Sequence, residues 1–425
     1  PLITISQSEL DSLIDQNPML DDIYPLAPTQ EGILFHSRLE PDSEVYHEQV
    51  RFDIDGELDI DAFTKAWVEV ISRHDILRSS FRWDLQAETV QLVHRQVELP
   101  VEQMDWRTKQ SCEIETELEA LLSKRRIDGF DFTKAPLLAV TLIEVNQGWI
   151  VVIDFQHILL DGWSVSMMFG ELVQFYSGFS EGQKLTLQDP PQYGDYVRWF
   201  TQQKSDQHKA FWQSYLKGYS EPVDFGIPRP DSSEDIGEDI ASLALDENLA
   251  EQIEIEAKSQ KVTVNTLVQW CWAYLLSCYS GTPDVVFGVT VSGRPAKLPE
   301  TEQMLGLFIN SLPLRMKVDD QVSVAKQLYA LQSEQVDVRE HELVRLVDIQ
   351  EWSELEAGKS LFDSLVVYEN YPVDEALSSD SVPLTVNNVR FYERTNYGIT
   401  LIVTQGKTIS FKAQFDASQF DAKSV

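Results

Sequence analysis

The decisive stretch of this chain reads Phe155-Gln-His-Ile-Leu-Leu-Asp-Gly-Trp-Ser164. Strand-forming residues precede it at 149–153, and apolar residues recur at helical spacing after it, between 165 and 176. We therefore predict a strand, a short turn, and then a helix that Ser164 caps. The turn carries one imidazole, one carboxylate and one glycine, and the end of a strand is a place where a base is accessible to a substrate.

The polar residues of this turn each have two interpretations. A neutral His157 imidazole can accept a proton or a hydrogen bond from an amine or hydroxyl, or it is a hydrogen-bonded histidine that only supports the strand end. Asp161 is either a second acid or base, or a residue that holds the turn through hydrogen bonds. We favour the structural role, because aspartate commonly holds tight turns in this way. Gly162 leaves room for a substrate arm, or is simply a turn glycine.

The bulk composition limits the partners of the protein. The 425 residues, 43% of them hydrophobic, exceed one ordinary core of about 100–200 residues, so we expect two domains. A net charge of −35 repels phosphate backbones and anionic lipids, so neither a nucleic acid nor a membrane partner is expected, although the charge also serves solubility. The sequence has no signal peptide and no apolar run of about 20 residues, so we expect a cytoplasmic protein. The chain starts abruptly at Pro1 and stops abruptly at Val425, so we expect it to be a piece of a longer chain.

Metal, disulfide and other catalytic chemistries are poorly supported. Cys271 and Cys278 lie in an apolar helical run, which favours buried thiols over a disulfide or a metal site. The histidines show no metal-ligand spacing, and the chain contains no G-x-S-x-G elbow, P-loop or dinucleotide fingerprint. We therefore expect no bound metal.

Helix and strand patterns recur in both halves of the chain. We predict one domain at 1–180 and a second at 181–425, joined by a Ser-, Gly- and Pro-rich linker at 177–192. In the second domain the patterns predict a helix at 263–280, a doubly buried strand at 284–292 and a further strand at 387–393. Two α/β (α+β) lobes that face one another would form a cleft, which is a usual place for a substrate site.

Several segments together resemble a known family. Residues 156–162 resemble the H-H-x-x-x-D-G signature of condensation domains from nonribosomal peptide synthetases, which chloramphenicol-acetyltransferase-like acyltransferases share. Further segments resemble the other family motifs and occur in the family's order. They lie at 26–36, 73–81, 193–199, 306–315 and 361–372.

The resemblance implies a fold and a reaction. Two chloramphenicol-acetyltransferase-like lobes would form a V-shaped pseudo-dimer with a central cleft and tunnel, monomeric as an isolated domain. Donor and acceptor peptidyl carrier proteins would dock on opposite faces, next to adenylation and carrier domains of the synthetase. Their phosphopantetheine arms would bring the substrates, with no cofactor bound by the domain itself. The acceptor amine would attack the donor thioester to form a peptide bond. Residues 30–36 are similar to the class that joins a D-configured donor to an L-configured acceptor.

The resemblance also assigns roles within the turn. His157 matches the functional histidine, which orients the attacking amine or takes its proton, and Gly162 would border the tunnel and polarise the thioester carbonyl through its N–H. Asp161 matches a structural aspartate, whose partner in the family is an arginine on a strand of the other lobe; Arg294 matches that arginine. Trp163 and Ser164 would line the cleft.

Two departures from the family pattern leave alternatives open. Gln156 replaces the first histidine of the signature; by strand alternation it faces away from His157, where we expect it to supply supporting hydrogen bonds. Gly398 replaces a proline after Asn396-Tyr397. The alternatives to an amide-forming enzyme are a catalytically impaired domain, a docking platform that recruits partners, and an ester-forming acyltransferase of the same superfamily.

Overall fold

The computed structural model describes residues 2–41, 43–85, 88–183, 185–203, 205–227, 238–356, 358–369 and 384–425. The last three residues of the family-like segment 361–372 lie outside these ranges. The described residues form two compact units. The first contains the residues up to Gln203 together with 294–308 and 384–394, and the second contains the others. Each unit mixes helices with sheet, which confirms the predicted α/β class.

The two units are not the consecutive halves predicted from the sequence. The predicted linker packs on the first unit, where Arg73 donates hydrogen bonds to the carbonyl oxygens of Leu187 and Gln188. The Asp75 carboxylate then accepts the N–H groups of Tyr193 and Gly194, each at 2.9 Å. These long-range bonds hold residues 185–203 to the first unit, so the division falls after Gln203 rather than after residue 180.

The first unit is built around a mixed sheet. From one edge to the other its strands are β12 (Thr385–Tyr392), β2 (His47–Asp55), β7 (Gly148–Gln156), β6 (Leu138–Val145) and β5 (Val101–Asp105). The central strand β7 is buried from residue 150 to its end. Because a strand buried on both faces is held by its neighbours, the end of β7 gives the turn at 157–161 a fixed starting point.

The strand β12 corrects a prediction. We expected a strand at 387–393 in the second domain, but β12 pairs antiparallel with β2 in the sheet of the first unit. The Tyr392 hydroxyl donates to the Glu44 carboxylate at 2.7 Å, and the Arg126 guanidinium lies 4.0 Å from the centroid of the Tyr392 ring. A strand pattern predicts the conformation of a segment, but it does not identify its partner strand.

The first unit also contains a second, smaller sheet and several helices. The smaller sheet contains β1 (Leu20–Pro25), β4 (Val90–His94) and β3 (Ser79–Arg82), in that order. The helices are α1 (Gln7–Gln16), α2 (Pro28–Leu39), α3 (Ile60–Arg73), α4 (Ser111–Asp128), α5 (Gly162–Ser180) and α6 (Tyr193–Phe200). Phe63 of α3 meets Tyr176 of α5 edge to face, with 6.2 Å between ring centroids.

The second unit has its own sheet and core. Its strands, in spatial order, are β10 (Asn310–Lys317), β9 (Asp284–Val291), β11 (Ser364–Glu369), β13 (Ile399–Gln405), β14 (Ile409–Asp416) and β8 (Glu238–Ala244). Its helices are α7 (Ser205–Tyr215), α8 (Glu247–Gln260), α9 (Val264–Ser280), α10 (Val324–Glu340) and α11 (Leu346–Trp352). The helix predicted at 263–280 and the strand predicted at 284–292 are confirmed as α9 and β9.

The prediction that the cysteines of α9 are buried is wrong. This helix buries Val268, Ala273 and Leu276, whereas Cys271 and Cys278 are exposed. The helix is apolar on most of its circumference, so its hydrophobic spacing does not identify the buried face. Within the described ranges, no helix is both long and apolar enough to cross a membrane.

Candidate active site

The turn after β7 is closed by its own backbone and by the cap of α5. The Leu159 N–H donates to the Gln156 carbonyl at 3.0 Å, and α5 begins at Gly162. The Asp161 side chain accepts the Ser164 N–H at 2.8 Å, so Asp161 caps the helix. The prediction that Ser164 is the cap is wrong. The helix begins at Gly162, so Ser164 is its third residue, and the Asp161 carboxylate accepts the Ser164 N–H.

His157 is half-buried, and one hydrogen bond selects its tautomer. Its Nδ1 lies 2.7 Å from the Leu160 carbonyl oxygen. A carbonyl oxygen only accepts, so Nδ1 carries a proton and Nε2 of the neutral ring has a lone pair. None of the residues that the structure describes forms a hydrogen bond with Nε2. This nitrogen is therefore free to accept a proton or a hydrogen bond from a substrate.

Asp161 is buried, with 1% of its side chain exposed, and its oxygens are occupied. Oδ1 accepts from Ser164 N–H and from Arg294 at 3.1 Å, while Oδ2 accepts from Phe308 N–H at 3.1 Å. The Asp161 N–H donates to the Gly306 carbonyl, also at 3.1 Å. These bonds join the turn to residues 294–308 and give both carboxylate oxygens of Asp161 hydrogen-bond donors.

Arg294 corrects the expectation of an arginine on a strand of another lobe. It lies beyond the end of β9, and residues 294–308 belong to the same compact unit as Asp161. The guanidinium is 4.0 Å from the Phe308 ring centroid and also donates to the Thr301 and Met304 carbonyls. The sequence did not indicate that residues 294–308 belong to the first unit, because they lie between β9 and β10, two strands of the second unit's sheet.

Ser164 does not line a cleft as predicted. Its side chain is fully buried, and its hydroxyl donates to the Gly306 carbonyl at 2.8 Å. The same hydroxyl accepts from the Gly306 N–H at 3.0 Å and from Arg294 at 2.8 Å. Trp163 differs, because 41% of it is exposed while its indole N–H donates to the Glu302 carbonyl. Ser164 therefore fastens residues 294–308 to the start of α5.

Gly162 occupies the first position of α5. The first N–H groups of a helix have no partner within it, and Asp161 satisfies those of Ser164 and Val165. Across the described part of the chain, no acceptor meets the Gly162 N–H. A donor at a helix N-terminus, where the helix dipole is positive, favours a developing negative charge.

Comparison with known proteins gives the family of the chain. The condensation-domain family matches residues 20–425 of the chain. The chain belongs to this family. This condensation domain is 36% identical over 424 residues to one of the subunits of the linear gramicidin synthase from Brevibacillus parabrevis. The match covers 99% of the domain but only 8% of that much longer protein. Its place is therefore among the condensation domains of nonribosomal peptide synthetases.

Solved structures show the same fold. The condensation domain superposes on the X-domain from teicoplanin biosynthesis with a TM-score of 0.79 and 21% identity, covering 94% of this chain and 91% of that one. The first condensation domain of the calcium-dependent antibiotic synthetase, in complex with a substrate analogue, gives a TM-score of 0.76 at 18% identity. That superposition covers 95% of this chain and 93% of the other.

Gln156 is the residue at which the turn departs from the H-H-x-x-x-D-G pattern. It is buried, and its side-chain oxygen accepts no hydrogen bond from any of the described residues, so the expected supporting hydrogen bond is not observed at this atom. Gln156 pairs across the sheet with His47, whose Nδ1 is likewise buried without a partner. His47 Nε2 lies 3.0 Å from Asp154 Oδ1, two residues before Gln156 on the same face of β7.

The sequence reasoning missed two supports of the site. Gln30 is fully buried, and its amide donates to the Ile158 carbonyl inside the turn at 3.1 Å. Tyr193 is also fully buried; its hydroxyl donates to the Leu307 carbonyl, and burial raises its pKa well above the usual value. Both residues lie in segments that resemble family motifs, so the motifs marked their importance without indicating what they contact.

Proposed function

We propose that this condensation domain joins an acyl or peptidyl thioester on a donor carrier to the amine of an aminoacyl group on an acceptor carrier. The hydrogen bond from His157 Nδ1 to the Leu160 carbonyl carries the proposal, because it leaves Nε2 as the acceptor that an attacking amine requires. The carriers' phosphopantetheine arms bring both substrates, so the domain itself needs no bound cofactor.

The chemical step uses two groups of the turn. His157 Nε2 accepts a hydrogen bond from the amine, orients it toward the thioester carbonyl and takes its proton as the C–N bond forms. The Gly162 N–H donates to the carbonyl oxygen as negative charge develops on it. The C–S bond then breaks, and the proton passes to the departing thiolate of the donor arm. The product is an amide on the acceptor carrier, one residue longer than the donor group.

Asp161 and Arg294 support this step without taking part in it. Their buried pair and the surrounding backbone bonds hold the Asp161 end of the turn that carries His157. The domain would work beside adenylation and carrier domains, as the much longer synthetases related to it suggest. The similarity of residues 30–36 to one stereochemical class supports a D-configured donor and an L-configured acceptor.

The test measures product formed in a single turnover. Donor and acceptor carriers are loaded with defined aminoacyl groups, and dipeptidyl product is followed by mass spectrometry. His157→Ala should lower the rate about 10²- to 10⁴-fold, as expected for loss of a general base. His208→Gln, which changes a histidine of the second unit, serves as the control and should retain the rate. Undiminished activity of His157→Ala would overturn the role of His157.

Two further comparisons separate the alternatives. Donors that end in a D-residue or an L-residue test the stereochemical class, and a D-donor should react faster. A hydroxyacyl group on the acceptor carrier tests ester formation. A docking platform would make no product from any donor and acceptor pair.

A further inference from the structure

Tyr46 has a left-handed backbone, with φ at +65°, although it is not a glycine. It is the third residue of a turn that the His47 N–H closes on the Glu44 carbonyl at 3.3 Å, just before β2. Glycine and asparagine are the residues that favour a positive φ at this position of a turn. A residue with a larger side chain persists there only where the surrounding structure holds it, and such residues occur frequently at functional sites.

Two backbone hydrogen bonds hold Tyr46, and one of them ends at His157. The Tyr46 N–H donates to the Arg394 carbonyl at 3.0 Å, shortly after β12 ends. The Tyr46 carbonyl accepts the His157 N–H, also at 3.0 Å. The last residue pair between β2 and β7 is His47 with Gln156, so this bond continues the ladder by one residue into the turn.

The Tyr46 ring lies beside the same histidine. Its centroid is 6.4 Å from that of the His157 ring and 6.5 Å from that of the His36 ring. Tyr46 can therefore act on His157 in two ways, through its backbone hydrogen bond or through its ring. A change of φ would turn the N–H away from its present direction relative to the carbonyl, and the bonds to Arg394 and His157 would no longer form together.

We propose that the left-handed backbone of Tyr46 positions His157, by fixing the main chain from which Nδ1 reaches the Leu160 carbonyl. Tyr46 is then a positioning residue that acts through His157. The expected effect of Tyr46 on kcat rests on the proposed amide-forming function. Its expected effect on the position of the His157 ring does not. The role belongs to the backbone of Tyr46 rather than to its ring.

The experiment compares two substitutions that both remove the ring. Asparagine tolerates a positive φ, whereas valine, which is branched at Cβ, strongly disfavours it. Tyr46→Val should lower kcat about 10- to 100-fold, the scale expected when a catalytic group is misplaced. The KM for the loaded carriers should stay unchanged, and Tyr46→Asn should retain most of the wild-type kcat. Tyr46→Ala, with an intermediate preference, replaces the valine variant if that protein does not fold.

Lys261 provides a matched control. It follows α8 in the second unit with φ at +59°, also in the left-handed region. Lys261→Val should lower the melting temperature relative to Lys261→Asn, because the same strain is introduced, while both variants keep the wild-type kcat. A loss of kcat in Lys261→Val would show that strain alone slows the domain, and this would overturn the specific role of Tyr46.

Nuclear magnetic resonance of ¹⁵N-histidine-labelled domain gives a readout that does not need turnover. The His157 ring signals, assigned by their loss in His157→Ala, should report a proton on Nδ1 in the wild type and in Tyr46→Asn, and should shift in Tyr46→Val. If the wild type makes no product, the proposed function fails while this comparison still decides the role of Tyr46. Unchanged His157 signals in Tyr46→Val, or a kcat of Tyr46→Asn as low as that of Tyr46→Val, would overturn it.

Discussion

The carboxylate of Asp161 lies 3.1 Å from the guanidinium of Arg294, and the two side chains are 1% and 7% exposed. The pair joins the turn that carries His157 to residues 294–308, which the chain reaches only after about another 130 residues. A buried ion pair is stable only when its remaining donors and acceptors are satisfied. Here the backbone N–H of Phe308 and the carbonyl of Met304 satisfy them.

Removing one partner of this pair should be costly. Arg294→Met or Asp161→Asn should each lower the free energy of unfolding by about 3–5 kcal/mol, because a buried charge is left without its partner. The double variant should lose less than the sum, since neither charge then remains alone. Urea unfolding measures these values, with Arg107→Met in an exposed ion pair as the control that should change little. Strictly additive losses would contradict the coupling.

The close approach of Gly306 to Tyr193 predicts a steric effect. A Cβ on Gly306 would lie 2.1 Å from a ring carbon of Tyr193, which is itself fully buried. Gly306→Ala should therefore destabilise the domain by about 1–3 kcal/mol or more through overpacking. Gly32→Ala is the control, because a Cβ on this residue of α2 meets nothing within 4 Å and alanine favours a helix. A Gly306→Ala protein as stable as wild type would show that Tyr193 moves aside freely.

The unpaired oxygen of Gln156 predicts an unusual tolerance. Gln156→Leu should leave the free energy of unfolding unchanged or slightly higher, because it removes a buried oxygen that has no partner. Gln49→Leu is the matched comparison on the neighbouring strand β2. It should lose about 1–3 kcal/mol, because the Gln49 amide bonds to the Leu122 carbonyl and the Asp154 carboxylate. Equal losses from both variants, measured by urea unfolding, would mean that Gln156 has a partner.

Restoring the family histidine tests the same position kinetically. Gln156→His should change kcat little, since the Gln156 oxygen makes no hydrogen bond to the turn that carries His157. Single-turnover peptide formation measures the effect. A large rate increase would contradict this expectation and would identify the domain as impaired by its glutamine.

Glu342 should make the stability of the domain depend on pH. Burial raises its pKa from the ordinary 4.5 to about 7. Between these values the folded protein retains a proton that the unfolded chain has released, so the free energy of unfolding falls as the pH rises through this window. The contribution is fully present below pH 4.5 and is lost as the pH passes about 7.

Urea unfolding at several pH values checks this dependence. Glu342→Gln should remove a loss on the order of 2–3 kcal/mol between the ends of the window. Glu351→Gln, at an exposed glutamate, should unfold with the pH dependence of the wild type. A wild-type profile that is flat from about pH 5 to 7, or one that matches Glu342→Gln, would contradict the prediction.

Local signals in the sequence were sufficient for the elements and for the family. The helix α9 was predicted from helical spacing of apolar residues and the strand β9 from a nearly continuous apolar run, and both signals depend only on neighbours along the chain. The family was predicted from segments that resemble its motifs and occur in the family's order. The turn that carries His157 was identified because polar groups follow a buried strand there.

The tertiary structure alone decided what these elements contact. It placed β12 and residues 294–308 in the first unit, showed Asp161 rather than Ser164 as the cap of α5, and selected the His157 tautomer. Tyr46 carried no signal, because its backbone conformation is set by partners far away along the chain, at His157 and Arg394. Hydrophobic spacing reports the type of a local element, whereas its buried face and its hydrogen-bond partners are fixed only when distant parts of the chain meet.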